Sequence, residues 1–351
     1  MIHAAHAPYS VVGMKPFPDK LYVITPINNP ERYLSRWRLF RAFEKHMQDS
    51  GVVLYVVEAA FGGREYEVTT TDNPWHIRVR GGDRTELWLK ENLFNIGLSR
   101  LPPEAKYVAM VDGDLTFLRP DWAQETLHAL QHYHAVQMFS EIVNLSHEGE
   151  MLSHTTGFVE GCRRGVPMQT GQGTTSVRPA FLYRKGQPTP YPGVKQWPGS
   201  PGGAWAYRRE ALDAVGGLVD FSITGSADYL MVLCLFGVLE EVHRFIPNNE
   251  KSSSFLRCLR AWQERAVRHL RKNIGVVSGT IAHAWHGKMI QRGYAERWKI
   301  LVQHDFDPNR DLVKDSQGLS HLYDGGTQRF IDLRADLRDY FRSRNEDGTD
   351  R

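Results

Sequence analysis

A chain of 351 residues with 41% hydrophobic content and a formal net charge of +3 can bury one large α/β core or two modest ones, which excludes disorder for most of its length. No apolar run approaches the roughly eighteen residues of a membrane span, and Met1 to Met14 lacks a basic stretch followed by an apolar one, so a soluble, unsecreted, cytoplasmic protein is expected. Cys162, Cys234 and Cys258 are far apart and form no C-x-x-C pair, which argues against a disulfide framework or a zinc knuckle.

In chain order, Lys20 to Thr25 reads as an apolar strand stopped by Pro26. Asn29-Pro30-Glu31 supplies a cap and first turn for a helix with Tyr33, Trp37, Phe40, Phe43 and Met47 at helical spacing, ended by Gly51. Val52 to Val57 is a second strand closing on Glu58. Asp83-Arg84-Thr85-Glu86 has capping-box form and opens a helix carrying Leu87, Leu93, Ile96 and Leu98, stopped by Pro102-Pro103. Tyr107-Val108-Ala109-Met110-Val111-Asp112-Gly113-Asp114 follows, an apolar run ending on two carboxylates with a glycine between them. It fits a parallel strand covered on both faces, whose C-terminal end is where open α/β sheets bind ligands. Two carboxylates there, with a glycine that lets a phosphate approach the backbone, suit a hard divalent cation shared with a diphosphate. A strand followed by an Asp-rich turn is the plainer alternative. Asp121 to Gln124 repeats the capping-box spacing before a helix to Tyr133, and Ala135 to Phe139 is a further strand. This alternation predicts an α/β fold, a Rossmann-like, mostly parallel sheet flanked by helices, with right-handed crossovers.

From Gly157 to Gly203 glycine and proline are dense, which predicts a lid. Ala204 to Tyr207 is a strand, Arg208 to Val215 a helix capped by Gly216-Gly217, and Ser226 to Phe236 a helix with Asp228 in its first turn. Ser252 to Asn273 is an amphipathic helix, with Phe255, Leu259, Trp262, Ala266 and Leu270 on one face and Arg257, Arg260, Arg268 and Arg271 largely off it. Between Lys251 and Ile300 eleven Lys or Arg stand against two acids, a local balance of +9 that leaves −6 for the rest. That concentration favours a phosphate-bearing partner: a nucleotide, a nucleic acid or an anionic membrane surface. A solvated helix face is the alternative. Val276 to Ala282 is a strand running into His283-Ala284-Trp285-His286-Gly287. On an extended strand His283 and His286 point to opposite faces, which separates one ligand from one structural histidine. A single domain over 1–335 is expected, with halves 20–140 and 157–300, C-terminal helical elements, and a charged, frayed tail over 336–351.

The ordered series of a D-x-D after a strand, Gly202-Gly203 leading into Ala204-Trp205-Ala206-Tyr207-Arg208-Arg209, the helix-start acid Asp228 and the late His286 resembles the core of GT-A fold glycosyltransferases, from about Lys20 to Arg297. The resemblance implies a nucleotide-sugar donor, a UDP-sugar above all, and Mn²⁺ or Mg²⁺ held by Asp112, Asp114 and His286. It places Gly113, Gly202 and Gly203 under the donor and makes Asp228 the base of an inverting transfer, with a helix N-cap as its structural alternative. One departure stands out: the family's x-E-D reads Ala227-Asp228 here, without the first acid. Thr25, Pro26, Asn28, Glu58, Lys90 and Asn95 are candidate nucleotide contacts. Trp88, Trp122 and Trp262 are expected to pack, whereas Trp197 and Trp205 border the donor loop and can stack on a sugar or base. The Lys90-Glu91 helix, the Asp112-Gly113-Asp114 strand and the closing His286-Gly287 are also similar to phage glycosyltransferases that modify hydroxymethylated pyrimidines, which implies 5-hydroxymethylcytosine in DNA as acceptor, its backbone tracked by Arg257, Arg260 and Arg268. A cytoplasmic carbohydrate, a lipid-linked precursor, or a non-catalytic nucleic-acid-binding role are the other readings. A sugar nucleotidyltransferase should carry a glycine-rich basic loop where Thr25-Pro26-Ile27-Asn28-Asn29-Pro30 stands.

Overall fold

The first strand, β1 (Leu21–Asn28), is buried along nearly its whole length and alternates its side chains between two apolar layers. It belongs to a computed structural model that describes residues 19–82, 87–164, 168–170, 173–175, 199–323 and 325–349. Helix α1 (Leu34–Asp49) buries Phe40, Phe43 and Met47, the spacing the sequence predicts, but starts a turn later than Asn29-Pro30-Glu31 suggests. The reason is local. The Asn29 side chain brackets Tyr33, accepting from its N–H at 2.9 Å and donating to its carbonyl at 2.8 Å, and Arg32 takes a left-handed φ of 59°. Strand β2 (Val53–Phe61) runs past Glu58, because Ala59, Ala60 and Phe61 are also buried, and β3 (His76–Gly81) pairs with it at the sheet edge.

Helix α2 (Lys90–Arg100) packs on β1 and β2 so closely that a Cβ on Gly97 would stand 2.6 Å from Ile24 Cγ2. The expected capping box at Asp83 to Glu86 lies outside the described residues. Strands β4 (Tyr107–Val111) and β5 (Leu115–Phe117) flank the D-x-D, and α3 (Trp122–Leu130) follows. Asp121 stands at the N-cap of α3 but makes no side-chain cap bond, because its carboxylate is taken by Arg119 at 2.6 Å. Next come β6 (Ala135–Gln137), β7 (Glu141–Leu145), β8 (Met151–Thr156), α4 (Phe158–Arg163) and the short hairpin of β9 (Met168–Thr170) with β10 (Gly173–Thr175). Most of the expected lid falls outside the described residues. Then follow β11 (Ala204–Arg208), α5 (Arg209–Val215), α6 (Ala227–Phe236) and α7 (Ser253–Leu270). The single strand expected over Val276 to Ala282 is two: β12 (Ile274–Val276) and β13 (Thr280–His283). The chain closes with α8 (Arg297–Gln303), α9 (Pro308–Asp311), the β14 (Leu312–Lys314) and β15 (Ser320–Leu322) pair, and α10 (Gln328–Ser343).

The central sheet has seven strands in the order β12-β6-β11-β4-β1-β2-β3, all in one direction except β11. The protein is thus a mixed α/β fold with a largely parallel sheet flanked by helices, as the alternation predicts. Tyr22, Ile24, Val108 and Met110 meet α2, α5, α6 and α7 on one side. Val23, Ala109 and Val111 meet α1 and α3 on the other. Antiparallel β11 matters most for function: its first residue, Ala204, lies beside Val111, the last of β4, so Gly202-Gly203 abuts Asp112. A second sheet, β5-β13-β7-β8, receives the chain from β12 and sets His283 opposite Leu115. Among the described residues no helix is long and apolar enough to cross a membrane.

The C-terminal segment is not a frayed tail. Leu333, Leu337 and Phe341 of α10 are buried, and beyond the helix Arg344 and Glu346 are buried too. Asp347 accepts from the backbone N–H of Leu34 and Ser35 at 2.9 and 2.8 Å, supplying the α1 N-terminus with a carboxylate from 312 or more positions away.

Candidate active site

A cleft of about 670 Å³ opens where the two sheets meet at the carboxyl ends of β1 and β4. Pro26 and Asn28 enter it from β1, Lys90 from α2, and Asp112, Gly113 and Asp114 from the turn after β4. Gly202 and Gly203 form its floor, Asp228 stands at the start of α6, and His283 and His286 close the far side. The turn after β4 is tied to the glycine floor by the Asp112 N–H, which donates to Gly203 O at 2.9 Å, and to the segment after β13 by the Ala284 N–H, which donates to Asp114 O at 3.0 Å.

The side chains grouped closely enough to hold a metal ion are not all those expected. Asp114, His283 and His286 each offer a ligand atom, all within 4.8 Å of one another. His286 Nε2 lies 3.3 Å and His283 Nε2 3.7 Å from Asp114 Oδ2, and the two Nε2 atoms are 3.0 Å apart. The expected separation of the histidines onto opposite faces fails because β13 ends at His283 and the chain turns there, bringing both rings to one point. Their other nitrogens explain the orientation: His283 Nδ1 is 2.8 Å from Asn144 Oδ1, and His286 Nδ1 faces Glu346 Oε2 at 3.9 Å. A proton on each Nδ1 leaves both Nε2 lone pairs directed at the same point as the Asp114 carboxylate. Burial, with Arg292 beside it, pushes the His286 pKa well below its ordinary value, so the imidazole is neutral, the form that ligates. Burial opposes ionisation of Asp114, but the imidazoles of His283 and His286, whenever one carries the extra proton in the metal-free chain, and the charge of Arg292 outweigh it and hold the carboxyl well below the usual range. Asp114 Oδ1 is buried without a hydrogen-bond partner. A divalent cation fits this donor set.

Asp112 is not part of that set. Its Oδ2 accepts from Lys90 Nζ at 3.1 Å, and Lys90 also lies 3.7 Å from Glu91 Oε1. Burial raises the Asp112 pKa, Lys90 partly offsets it, and Asp114 and Asp228 add to it. Burial works against the Lys90 charge, yet Asp112 and Glu91 outweigh it and keep the amine protonated.

Asp228 is not a helix N-cap. That position belongs to Ser226, which adopts a left-handed φ of 64° directly after Gly225 at φ 90°, and which makes no side-chain cap bond. Strain of this kind in a non-glycine residue persists only where the surroundings over-determine it. Asp228 Oδ1 accepts from the Tyr229 N–H at 2.8 Å, and a Cβ on Gly202 would fall 2.0 Å from Oδ2, so the glycine floor leaves the space the carboxylate fills.

Several expected contacts lie elsewhere. Glu58 is buried inside β2, where its carboxylate accepts from the backbone N–H of Glu67, Val68 and Thr69, so it holds a loop and does not reach the cleft. Asn95 is engaged with Leu218, whose N–H it accepts at 2.8 Å, and Thr25 is buried with its hydroxyl donating to Val111 O. Trp205 is buried, its indole N–H donating to Pro201 O at 2.8 Å, and is not placed to stack on a ligand. Arg257, Arg260 and Arg268 stand on the outer face of α7, and none lines the cleft. Trp197 lies outside the described residues.

Other residues line the cleft without a sequence signal that singles them out. Arg292 and Arg297 are buried cations that make no direct ion pair with a carboxylate among the described residues, and the Nε of each lacks a hydrogen-bond partner. Trp88 lines the cleft as well, with Arg36 and Arg344 over its ring at 5.7 and 4.8 Å and its indole N–H unpaired. With Asn28 Oδ1 and Asp114 Oδ1, five of the nine orphaned buried polar atoms among the described residues belong to the cleft lining, which marks it as built for a polar ligand.

No protein-family model and no curated protein matches the sequence. Among solved structures, similarity extends to Drosophila β1,4-galactosyltransferase 7 in complex with manganese, UDP-Gal and xylobiose, at 12% identity over 63% of this chain and 62% of that one, TM-score 0.29. It extends also to S. aureus TarS, at 11% identity over 82% and 65%, TM-score 0.34, and to a putative glucose-1-phosphate thymidylyltransferase from Bacillus anthracis, at 8% over 75% and 89%, TM-score 0.34. The chain thus spans less than two thirds of the galactosyltransferase and TarS structures. Overlaps at this level assign no activity.

Proposed function

We propose that the protein is a metal-dependent glycosyltransferase of GT-A type that moves a sugar from a nucleotide sugar, a UDP-sugar first among candidates, to a hydroxyl acceptor with inversion. One observation carries the reading: a carboxylate and two imidazoles converge in the same cleft that presents Asp228 over a glycine floor. Asp114, His283 and His286 would hold the cation, which when bound supplies Lewis-acid stabilisation of a leaving diphosphate. Two imidazoles beside one carboxylate favour Mn²⁺ over Mg²⁺. Arg292 and Arg297, cations without a direct carboxylate ion pair among the described residues, suit the charge that builds on the diphosphate as the glycosidic C–O bond breaks. Asp228 takes the acceptor's proton as its oxygen attacks the anomeric carbon, and the bonding pair leaves with the diphosphate. Lys90 neutralises Asp112, so the two carboxylates after β4 have different tasks.

An acceptor on duplex DNA would have to reach Asp228 while its backbone lay on Arg257, Arg260 and Arg268, none of which lines the cleft. A hydroxyl acceptor that needs no polyanionic backbone is therefore the reading advanced, and a carbohydrate is the simplest example. The test is release of nucleoside diphosphate from a panel of nucleotide sugars with Mn²⁺ or Mg²⁺, with NMR of the transferred anomeric centre. Asp228→Asn should bind donor normally and lose about a hundred-fold or more in rate. Retained anomeric configuration removes Asp228 as base, pyrophosphate release from a nucleoside triphosphate makes the protein a nucleotidyltransferase, and efficient transfer to hydroxymethylated duplex DNA restores the nucleic-acid acceptor.

A further inference from the structure

The residues that follow α10 pack into the gap between the start of α1 and the His283 to Gly287 turn. Asp347 is tied to Leu34 and Ser35, and Gly348 O accepts the Trp285 indole N–H at 2.7 Å. Gly287, at φ 90°, is the contact point: a Cβ there would stand 2.9 Å from Arg344 O and 3.0 Å from Glu346 Cα, so only a glycine after His286 admits the segment. Glu346 is buried and held by Arg36 at 2.5 and 2.7 Å and by Arg344 at 2.7 Å. Its Oε2 faces His286 Nδ1 at 3.9 Å, on the side of the ring opposite Asp114.

We propose that Arg344 to Gly348 is part of the metal centre, its Glu346 carboxylate holding the His286 imidazole in the tautomer and orientation that ligate a divalent cation. Glu346 is a positioning residue: it touches neither cation nor substrate and acts through His286. The arrangement gives His286 the outer carboxylate that His283 matches with Asn144, so each ligating ring has a partner on its far nitrogen. The distance of 3.9 Å is longer than a hydrogen bond, so the contact acts through charge, and a cation held at Nε2 would make the Nδ1 proton more acidic and strengthen its attraction to Glu346. The inference rests on the reading of Asp114, His283 and His286 as a metal site.

Mn²⁺ titration of the full chain by calorimetry and electron paramagnetic resonance tests it. Glu346→Gln should weaken Mn²⁺ about 10-fold or more, the usual scale for an outer partner of a metal ligand. Trp285→Phe, which removes only the anchor on Gly348, should shift the affinity in the same direction by less. A purely structural Glu346, present to neutralise Arg36 and Arg344, would lower the metal-free melting temperature and leave the Mn²⁺ affinity unchanged, and that result overturns the proposal. Should Glu346→Gln fail to fold, the ¹⁵N shifts of His286 in the metal-free wild type decide: an Nδ1-protonated ring is expected, and an Nε2-protonated one refutes it. Wild-type protein that binds no Mn²⁺ would instead sink the metal reading itself.

Discussion

Asp112 and Asp114 are one residue apart and have different surroundings. Asp112 faces Lys90 at 3.1 Å, whereas Asp114 faces two imidazoles and keeps a buried oxygen unpaired. Asp114→Asn should therefore lower Mn²⁺ affinity by more than the roughly 10–100-fold typical of outer partners, and abolish turnover. Asp112→Asn should leave Mn²⁺ affinity close to wild type and lower turnover alone. Equal loss of metal affinity in both, measured by calorimetry, would return Asp112 to the ligand set. Gly202 makes a similar point with the opposite kind of residue. A methyl group there meets Asp228 Oδ2 at 2.0 Å, so Gly202→Ala must push the carboxylate aside. The variant should fold and bind Mn²⁺ as wild type while losing at least about ten-fold in rate, because a misplacement of an ångström costs a general base much of its effect. Unchanged turnover would show that the position of Asp228 does not govern the reaction.

At the scale of elements, β11 and β13 decide the site. Both depart from a simple parallel reading, β11 by running antiparallel beside β4 and β13 by leaving the first sheet for the second. Without the first, Gly202 would not floor the turn after β4. Without the second, His283 and His286 would not meet Asp114. Helix α7 shows the reverse case, a prominent pattern with a structural purpose: Phe255, Leu259, Trp262, Ala266 and Leu270 are all buried, as the periodicity requires, Arg257 and Arg268 are exposed, and Arg265 donates to Val215 O at 2.8 Å. Reversing Arg257, Arg260 and Arg268 to Glu should leave nucleotide-sugar turnover and Mn²⁺ affinity unchanged, with stability altered by no more than about 0.5 kcal/mol per site. A fall in donor turnover at low salt would place the basic face in the reaction after all.

For the whole molecule, the cleft's charges are coupled to global stability. Burial, with Asp228 nearby, raises the Glu91 pKa to about 7 against the pull of Lys90. Between the ordinary carboxylate value and about 7 the folded chain holds a proton that the unfolded chain has lost, so this group makes stability fall as pH rises through that window. Glu91→Gln should thus gain stability relative to wild type as pH goes from 5 to 8, read as the difference between their urea midpoints in chelator. A difference that does not change with pH would remove Glu91 from the coupling. The sequence by itself determined the class of fold and the chemical types at the site, since buried strands, helix periodicity and a strand ending on two acids are local properties of the chain. Asp114, Asp228, Gly202 and His286 were all visible in that way. Which atoms meet was decided only by the tertiary structure. Lys90 claims Asp112, Glu58 closes a loop, the turn after β13 recruits His283, and Glu346 arrives behind His286 from sixty positions away. Those pairings depend on register, on the crossing of two sheets and on the docking of a chain end, and no spacing along the sequence encodes them.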